Sequence, residues 1–270
     1  MGVRVPPFAP SHSQLFTRAI VRTPGENFAD GLTTAILGKP DFPLTLKQHQ
    51  AYVHALELCG LAVTVLDPDV QHPDSTFVED TAVIFGDRAV LARPGAATRA
   101  GEVVAIRPAI ESQIRNVFEI TAPGTLDGGD ICEAGEHFFI GISKRTNEDG
   151  ARQLAGFLQQ AGYTSSLVDI RGLRGILHLK SGIAHLGDVD LVVWEDLAHF
   201  QEFRGYNLIR VASDDRYAAN CVRVNDRVLV AAGFPRFAGQ VERAGYTPLE
   251  LDVSEFRKMD GGLSCLSLRF

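Results

Sequence analysis

The segment Ile131-Cys-Glu-Ala-Gly-Glu-His-Phe-Phe-Ile140 has the pattern of two short strands joined by a tight turn. Tight Asn, Asp or Gly turns between apolar runs are typical of β-hairpins. The pattern recurs in Ala82–Leu91, Ile183–Val193 and Cys221–Val230. The turns lie 49, 52 and 38 residues apart, at Gly86, Gly135, Gly187 and Asn225. This spacing predicts repeated supersecondary units that bury their apolar faces against one another.

A helix that ends at a glycine and leads into a strand is the second repeated element. The sequences Ala161-Gly-Tyr-Thr164 and Ala244-Gly-Tyr-Thr247 mark corresponding points of two copies. We predict a helix capped at Thr146 or Asn147 and ending at Gly162, because its apolar residues fall on one face. The other predicted helices are Thr45–Cys59 and one that ends at Gly245, and the strands that follow the three helices are Leu61–Leu66, Tyr163–Ile170 and Tyr246–Val253.

Four hairpins and a remaining strand at the carboxyl end predict a ring of about five modules. The fifth hairpin would then come from both chain ends, Phe16–Arg22 and Leu263–Phe270. Because no linker or low-complexity segment interrupts the sequence, we predict one domain over residues 1–270. The alternative is an open α/β sheet, but hairpins about every 50 residues fit poorly with single-strand crossovers.

Composition narrows the class of protein. The 270 residues are 45% hydrophobic and 22% charged, as in ordinary globular proteins. A net charge of −7 disfavours a nucleic-acid surface. No apolar run is long enough to span a membrane, and the start of the sequence lacks a signal-peptide pattern. The four cysteines form no CxxC pair, so we expect reduced thiols in a cytoplasmic protein.

Unusual polar residues occupy the loops that precede the hairpins. These loops contain Asp74, Glu79 and Asp80; Asp127 and Asp130; His178; and finally Cys265. If the modules form a ring, equivalent loops converge on one centre. A cysteine attacks as its thiolate, a histidine moves protons near neutral pH, and an aspartate can orient the imidazole. Because adjacent carboxylates hinder thiolate formation, this centre suits a cationic substrate such as a guanidinium.

Two arginines indicate the rest of the substrate. Arg93 and Arg145 each follow the second strand of a hairpin, and both could bind a carboxylate. Asp74 could then accept an α-amino group. Together these groups predict a site for an α-amino acid with a guanidino side chain, which is arginine or a derivative of it.

With these residues the chain resembles the dimethylarginine dimethylaminohydrolases of the guanidino-group-modifying (pentein) superfamily. The matching segments follow the family's order over nearly the whole chain: Phe77-Val-Glu-Asp-Thr-Ala-Val, Leu126-Asp-Gly-Gly-Asp-Ile, Gly141-Ile-Ser-Lys-Arg-Thr-Asn147, Leu177-His-Leu-Lys-Ser, Ala218-Ala-Asn-Cys and Asp260-Gly-Gly-Leu-Ser-Cys. The resemblance implies an α/β fold, a five-bladed propeller of ββαβ modules with pseudo-fivefold symmetry.

The resemblance also implies a role for each site residue. Cys265 would be the nucleophile, His178 the general acid/base and Asp127 its acidic partner. Glu79 and Asp80 would hold the guanidinium beside Phe77. The substrate's carboxylate would bind Arg93 and Arg145, and its amino group would bind Asp74 and the carbonyls of Leu32 and Met259. Thr23–Leu32 reads as a Gly-containing loop that could act as a lid.

One position separates subfamilies within this superfamily. Arginine deiminases carry an acidic residue two positions after the histidine, where this chain has Lys180, as in dimethylargininases. Loss of that second clamp leaves room for N-methyl groups. Gly262 and Leu266, beside the nucleophile, differ from the mammalian enzymes and leave the fine substrate preference open.

The expected activity is therefore hydrolysis of mono- and asymmetric dimethylarginine to citrulline and methylamine or dimethylamine. A covalent Cys265 thiouronium would form on the way, and no metal or organic cofactor is required, although a Cys/His pair could take up adventitious zinc. Two alternatives remain: a hydrolase of free arginine or another guanidine, and a non-catalytic propeller that binds a macromolecule. The expected partner is a small-molecule substrate, with no nucleic acid and no membrane; the oligomeric state, a homodimer included, stays open.

Overall fold

Five three-stranded sheets account for the β-structure in residues 15–270, the part of the chain that this computed structural model describes. The strands in chain order are β1 Arg18–Arg22, β2 Ala62–Leu66, β3 Ala82–Phe85, β4 Arg88–Leu91, β5 Asn116–Glu119, β6 Ile131–Ala134, β7 His137–Ile142, β8 Thr164–Asp169, β9 Ile183–Gly187, β10 Asp190–Trp194, β11 Asn207–Val211, β12 Val222–Val224, β13 Arg227–Ala231, β14 Thr247–Leu251 and β15 Leu268–Arg269. The α-helices are α1 Phe42–Leu58, α2 Ala100–Glu111, α3 Glu148–Gln160, α4 Pro235–Arg243 and α5 Ser254–Arg257.

Four of the sheets repeat one topology, in which an antiparallel hairpin is joined by a parallel third strand. The hairpins are β3–β4, β6–β7, β9–β10 and β12–β13, and the added strands are β5, β8, β11 and β14. All four predicted hairpins are confirmed. The turn residue Asn225 has φ +55°, a left-handed conformation that asparagine tolerates better than most residues.

The fifth sheet brings the two ends of the described chain together. β1 pairs in parallel with β2 and antiparallel with β15, through Ala19↔Arg269 and Ile20↔Leu268. The predicted pairing of the chain ends is therefore confirmed, although the carboxyl-terminal strand is shorter than Leu263–Phe270. Ser264–Leu266 instead forms a single 3-10 turn. The result is an α/β fold of five small sheets.

The predicted helices are present with shifted boundaries. Asp41 caps α1, since its side chain accepts a hydrogen bond from the Leu44 N–H, so this helix begins before Thr45. Asn147 caps α3 in the same way. Each of the three predicted helices is followed by a glycine with φ near +90°, which a residue with a Cβ adopts only with strain: Gly60, Gly162 and Gly245.

One module departs from the repeat. Between β10 and β11 the chain forms two short 3-10 turns, Glu195–Leu197 and Gln201–Phe203, where the other modules have an α-helix. This compact connection explains why the turns at Gly187 and Asn225 are the most closely spaced. Among residues 15–270, no helix combines the length and apolar character needed to cross a membrane.

Candidate active site

A small cleft lies where the loops before the hairpins meet. Its wall contains eight of the predicted site residues: Leu32, Asp74, Phe77, Asp80, Arg145, His178, Met259 and Cys265. Arg99, Leu177, Asp260 and Gly261 complete the lining. The free volume is about 30 Å³, room for a water or two. Loops that lie far apart in sequence therefore converge on one centre.

A buried imidazole lies among carboxylates on one side of the cleft. His178 Nε2 donates to Asp127 Oδ2 at 3.1 Å and lies 3.9 Å from Asp80 Oδ1. Burial would lower the pKa of His178, but the negative charges of Asp80, Asp127 and Asp130 and the hydrogen bond to Asp127 raise it to about 9. At neutral pH this side chain is an imidazolium, ready to donate a proton.

Cys265 is held in the 3-10 turn Ser264–Leu266. Its N–H donates to the Gly262 carbonyl at 3.2 Å, and its side chain is only partly buried against apolar neighbours. Burial raises the pKa of the thiol, and Glu79 and Asp80 add to this effect, bringing it to about 12. In the free protein Cys265 is therefore a neutral thiol at neutral pH.

The adjacent carboxylates Glu79 and Asp80 point to different partners. Asp80 lies in the cleft wall, accepts from Arg99 at 2.5 Å and accepts from the Gly129 N–H at 2.9 Å. Burial would raise the pKa of Asp80, but the charges of His178 and Arg99 and these hydrogen bonds lower it to about 2. The Asp80 carboxylate therefore remains charged in the cleft.

Glu79 is directed away from the cleft lining. Its carboxylate pairs with Lys180 Nζ, accepts from Ser264 Oγ at 2.7 Å and lies 3.5 Å from Arg269 Nη2. Of the two predicted guanidinium ligands, only Asp80 faces the cavity. Lys180, the position that distinguishes the subfamilies, neutralises the other.

Only one of the two predicted carboxylate-binding arginines lies in the cleft wall. Arg145 lies in the wall, its Nη1 3.6 Å from Asp127 Oδ2, and this buried nitrogen has no hydrogen-bond acceptor among the described residues. Arg93 is exposed and donates to the Gly124 carbonyl at 2.9 Å, outside the cleft lining. The second arginine in the wall is instead Arg99, which sequence reasoning missed.

Arg99 is buried with its own counter-ions. It donates to Glu102 through Nε and Nη2, the latter at 2.7 Å, and to Asp80. Burial would lower the pKa of Arg99, but the two carboxylates raise it. In the sequence, Arg99 and Glu102 have the i,i+3 spacing of an ordinary surface ion pair. No local signal distinguishes a buried pair from an exposed one.

The predicted α-amino pocket is covered by a loop. The Leu32 N–H donates to both carboxylate oxygens of Asp74, at 3.0 and 3.1 Å. Burial raises the pKa of Asp74, which Arg99 and this N–H partly offset. Two residues after Leu32, Thr34 donates through its N–H and its hydroxyl to Asp260, at 2.5 and 2.9 Å. These contacts hold the loop against the segment that leads to Cys265.

Phe77 is the aromatic residue in the cleft wall. Its ring packs edge-on against Phe28 and Phe256, with centroids 5.8 and 6.4 Å apart. A Cβ at Gly261 would lie 2.2 Å from this ring. Glycine at this position therefore lets the loop that leads to Cys265 approach the aromatic wall.

Three of these side chains could serve as ligands of one metal ion. Ligating atoms of Asp80, Asp127 and His178 lie within 4.8 Å of one another. Asp80 already pairs with Arg99 and Asp127 with His178, so a cation would have to displace hydrogen-bonded partners. The same groups account for a charged imidazole without any metal.

Comparison with known proteins identifies the family. No family model matches the chain. The N(G),N(G)-dimethylarginine dimethylaminohydrolase of Pseudomonas aeruginosa is 44% identical over 257 residues, 95% of this chain and 100% of the relative. The enzyme of the same name from Streptomyces coelicolor is 33% identical over 253 residues, 93% of this chain and 96% of the relative.

Solved structures agree with these relatives. A mutant of the Pseudomonas aeruginosa protein complexed with citrulline superposes with a TM-score of 0.91 at 43% identity, covering 95% of this chain and all of that one. The N-terminal domain of ArgZ, a cyanobacterial arginine dihydrolase, has the same fold, with a TM-score of 0.84 at 20% identity over 95% of this chain and 97% of that one. On sequence and structure, the chain belongs to the dimethylarginine dimethylaminohydrolase family.

Proposed function

We propose that this protein hydrolyses mono- and asymmetric dimethylarginine to citrulline and methylamine or dimethylamine. The observation that carries the proposal is the meeting of a cysteine, a charged histidine and an ionised carboxylate in one cleft, Cys265, His178 and Asp80. Family membership supports it, because the relatives are named for this reaction. The cleft chemistry favours an enzyme over a non-catalytic binding module.

The five sheets are, in this proposal, the blades of one propeller with pseudo-fivefold symmetry. The sheet formed by β1, β2 and β15 would close the ring, since it contains strands from both ends of the described chain. Such a ring forms one catalytic domain and puts the loops before the hairpins on its axis. The shared ββαβ-like topology of the other sheets supports this arrangement.

Substrate binding follows from the charges in the wall. Asp80 would pair with the guanidinium, and Arg145 would bind the α-carboxylate through its unpartnered Nη1. Arg99 is the second arginine in the cleft wall. We therefore assign the second contact with the α-carboxylate to Arg99 rather than to Arg93. Asp74 would exchange the Leu32 N–H for the α-amino group. Because Glu79 is neutralised by Lys180, a single clamp holds the guanidinium and N-methyl groups have room.

Formation of the covalent intermediate uses the charge of the substrate. The guanidinium lowers the pKa of the Cys265 thiol, which loses its proton to water as the cation binds. The thiolate attacks the guanidino carbon and forms a tetrahedral adduct. The His178 imidazolium protonates the methylated nitrogen, the C–N bond breaks, and the amine leaves. A positively charged S-alkylthiouronium and a neutral His178 remain.

Hydrolysis reverses the role of the histidine. Neutral His178, oriented by Asp127, accepts a proton from water as the oxygen attacks the thiouronium carbon. Collapse of this second adduct breaks the C–S bond, and the hydroxyl proton of the adduct passes to the departing sulfur, so that citrulline and the neutral Cys265 thiol are formed. One water is consumed in each cycle, and the imidazolium is restored.

The covering loop must open for the substrate to enter. A cavity of about 30 Å³ cannot hold an arginine. The contacts that close it are hydrogen bonds from Leu32 to Asp74 and from Thr34 to Asp260. We expect Thr23–Leu32 and the two threonines after it to act as a lid.

The test is incubation of the protein with asymmetric dimethylarginine, followed by assays for citrulline and dimethylamine. Cys265→Ser is the matched control, since it replaces only the sulfur. Values of kcat/KM for arginine and its mono- and dimethyl forms separate this activity from that of an arginine hydrolase. Absence of turnover by the wild type, or equal turnover by the variant, would overturn the proposal.

A further inference from the structure

Hydrogen bonds between neighbouring modules form a closed ring around the cleft. The Gly129 N–H donates to Asp80 at 2.9 Å, and the Leu179 N–H donates to Asp130 at 3.0 Å. The next links run through Asn220 to Lys180 and to Ser264, and the Ser264 hydroxyl returns to Glu79. Each link joins the loop of one module to the loop of the next.

Three of the acceptors in this ring occupy one repeated position. Asp80, Asp130 and Asn220 each lie one or two residues before the first strand of their hairpin, and each accepts an N–H from the following module. Cys265 follows the last such N–H, that of Ser264, near the corresponding position of the fifth module. The proposed nucleophile, three residues before β15, therefore lies close to a position that in three other modules serves to fasten loops together.

Asp130 connects two functional residues, His178 and Arg145, without reaching the cleft. Its carboxylate is fully buried and accepts from the Ser143 hydroxyl at 2.7 Å and from the Leu179 N–H, next to His178. The Ser143 oxygen in turn accepts the Arg145 N–H at 2.9 Å. One carboxylate thus fixes the loop of the acid/base histidine and the turn of the carboxylate-binding arginine.

Asn220 makes the corresponding connection for the nucleophile. Its Oδ1 accepts the Ser264 N–H at 2.9 Å, and its Nδ2 donates to the Lys180 carbonyl and the Ser264 hydroxyl, both at 3.1 Å. Cys265 follows Ser264 directly, and Lys180 belongs to the loop that contains His178. The amide oxygen and the amide nitrogen of Asn220 thus both serve to hold those two loops in one geometry.

We propose that Asp130 and Asn220 are positioning residues that set the geometry of Cys265 relative to His178 through this ring. Neither side chain lines the cleft. Asn220 is uncharged and acts through alignment, whereas Asp130 also contributes part of the negative charge that raises the pKa of His178. Small errors in the placement of reacting groups reduce rates strongly. The proposal rests on the proposed function where it is tested by kcat. The resonances of the His178 ring test it independently of turnover.

The test compares variants of known active-site concentration. Labelling of Cys265 with a haloamidine counts competent sites, so that kcat refers to folded protein. Asn220→Ala should lower kcat by about 10- to 100-fold with KM within about threefold, because the amide does not touch the substrate. Asn220→Asp should not restore kcat, since its second oxygen would face the Lys180 carbonyl.

Two substitutions of Asp130 should lower the rate to different degrees. Asp130→Ala should lower kcat and raise KM, because both the histidine loop and the arginine turn are released. Asp130→Asn should recover part of the rate, as its oxygen can still accept the Leu179 N–H. Asp190→Asn is the matched control: that carboxylate also accepts two side-chain hydrogen bonds, from Asn207 and Tyr246, but lies outside the cleft lining.

Nuclear magnetic resonance of His178 tests the positioning role of the hydrogen-bond ring separately from the proposed activity. In protein with isotope-labelled histidine, the ring resonances of His178 should move in Asp130→Ala and Asn220→Ala and stay in place in Asp190→Asn. Unchanged resonances, or unchanged kcat per labelled site in both variants, would overturn the proposal. If the wild type does not turn over dimethylarginine, the proposed function fails and the resonances alone decide about the ring.

Discussion

The ionisation of Cys265 is the most direct test of a cleft built for a cation. The perturbation is the binding of a charged ligand, the acetamidine derivative of ornithine, compared with neutral citrulline. Both ligands have an amino-acid end that Asp74 and Arg145 could bind. They differ in the charge that they bring next to the thiol.

The size of the effect follows from the pKa of the thiol. Burial and the charges of Glu79 and Asp80 raise the pKa of Cys265 to about 12. At about pH 7.5 the thiolate is then roughly one part in 10⁴ to 10⁵. A nearby positive charge lowers a pKa by about 1 to 3 units. The amidine should therefore raise the thiolate fraction by about 10- to 1,000-fold, and citrulline should leave it nearly unchanged.

The assay is the ultraviolet absorbance of the thiolate as a function of pH, taken as wild type minus Cys265→Ser. Subtraction removes the signal of the other three cysteines, all buried. We expect the thiolate transition of the free protein at about pH 12. With the amidine it should move down by about 1 to 3 units, to about pH 9 to 11. A transition at or below neutral pH without ligand, or equal effects of both ligands, would refute the reasoning.

Three further outcomes follow from described contacts. Arg145→Ala should raise KM by about 10- to 100-fold with little change in kcat, because a charged hydrogen bond to the substrate is lost. Arg93→Ala is the control and should leave KM within about twofold. An equal rise in KM for both variants would show that Arg93 also binds the substrate. Deletion of residues 268–270 removes β15 and should lower Tm by about 10 °C or more in a thermal melt; an unchanged Tm would contradict the role of this strand. Asp260→Ala frees the lid at Thr34 and should speed citrulline release about tenfold in stopped-flow measurements; unchanged release would exclude this contact as a latch.

Much of the fold could be predicted because its signals are local. A turn such as Asn225-Asp226 between apolar runs predicts its hairpin from a few residues, and the glycine after each predicted helix marks its end. Helix α2 was not predicted, and neither was the replacement of a helix by 3-10 turns after β10. In the latter case packing between neighbouring modules, rather than local propensity, decides the structure.

The residues of the site could be predicted from their types. Which of them face the cleft depends on the direction of each side chain, which the sequence does not show. Glu79 and Asp80 are neighbours in sequence, yet one faces Lys180 and the other the cleft. Consecutive residues of a short 3-10 turn point to different sides, and the sequence does not state which side is the cavity. Likewise, Arg99 and Arg93 differ chiefly in burial, which arises from the surrounding modules.

The pairing of β1 with β15 has a consequence for the order in which the protein becomes active. Most strand pairs join residues close in sequence, whereas Ala19 and Arg269 are 250 residues apart. Contacts at such separation form late, because a long loop must first be closed. Cys265 belongs to the segment that this pairing fixes. During refolding, secondary structure should therefore return before the thiol is sequestered, and the exposed cysteine is open to oxidation in that interval.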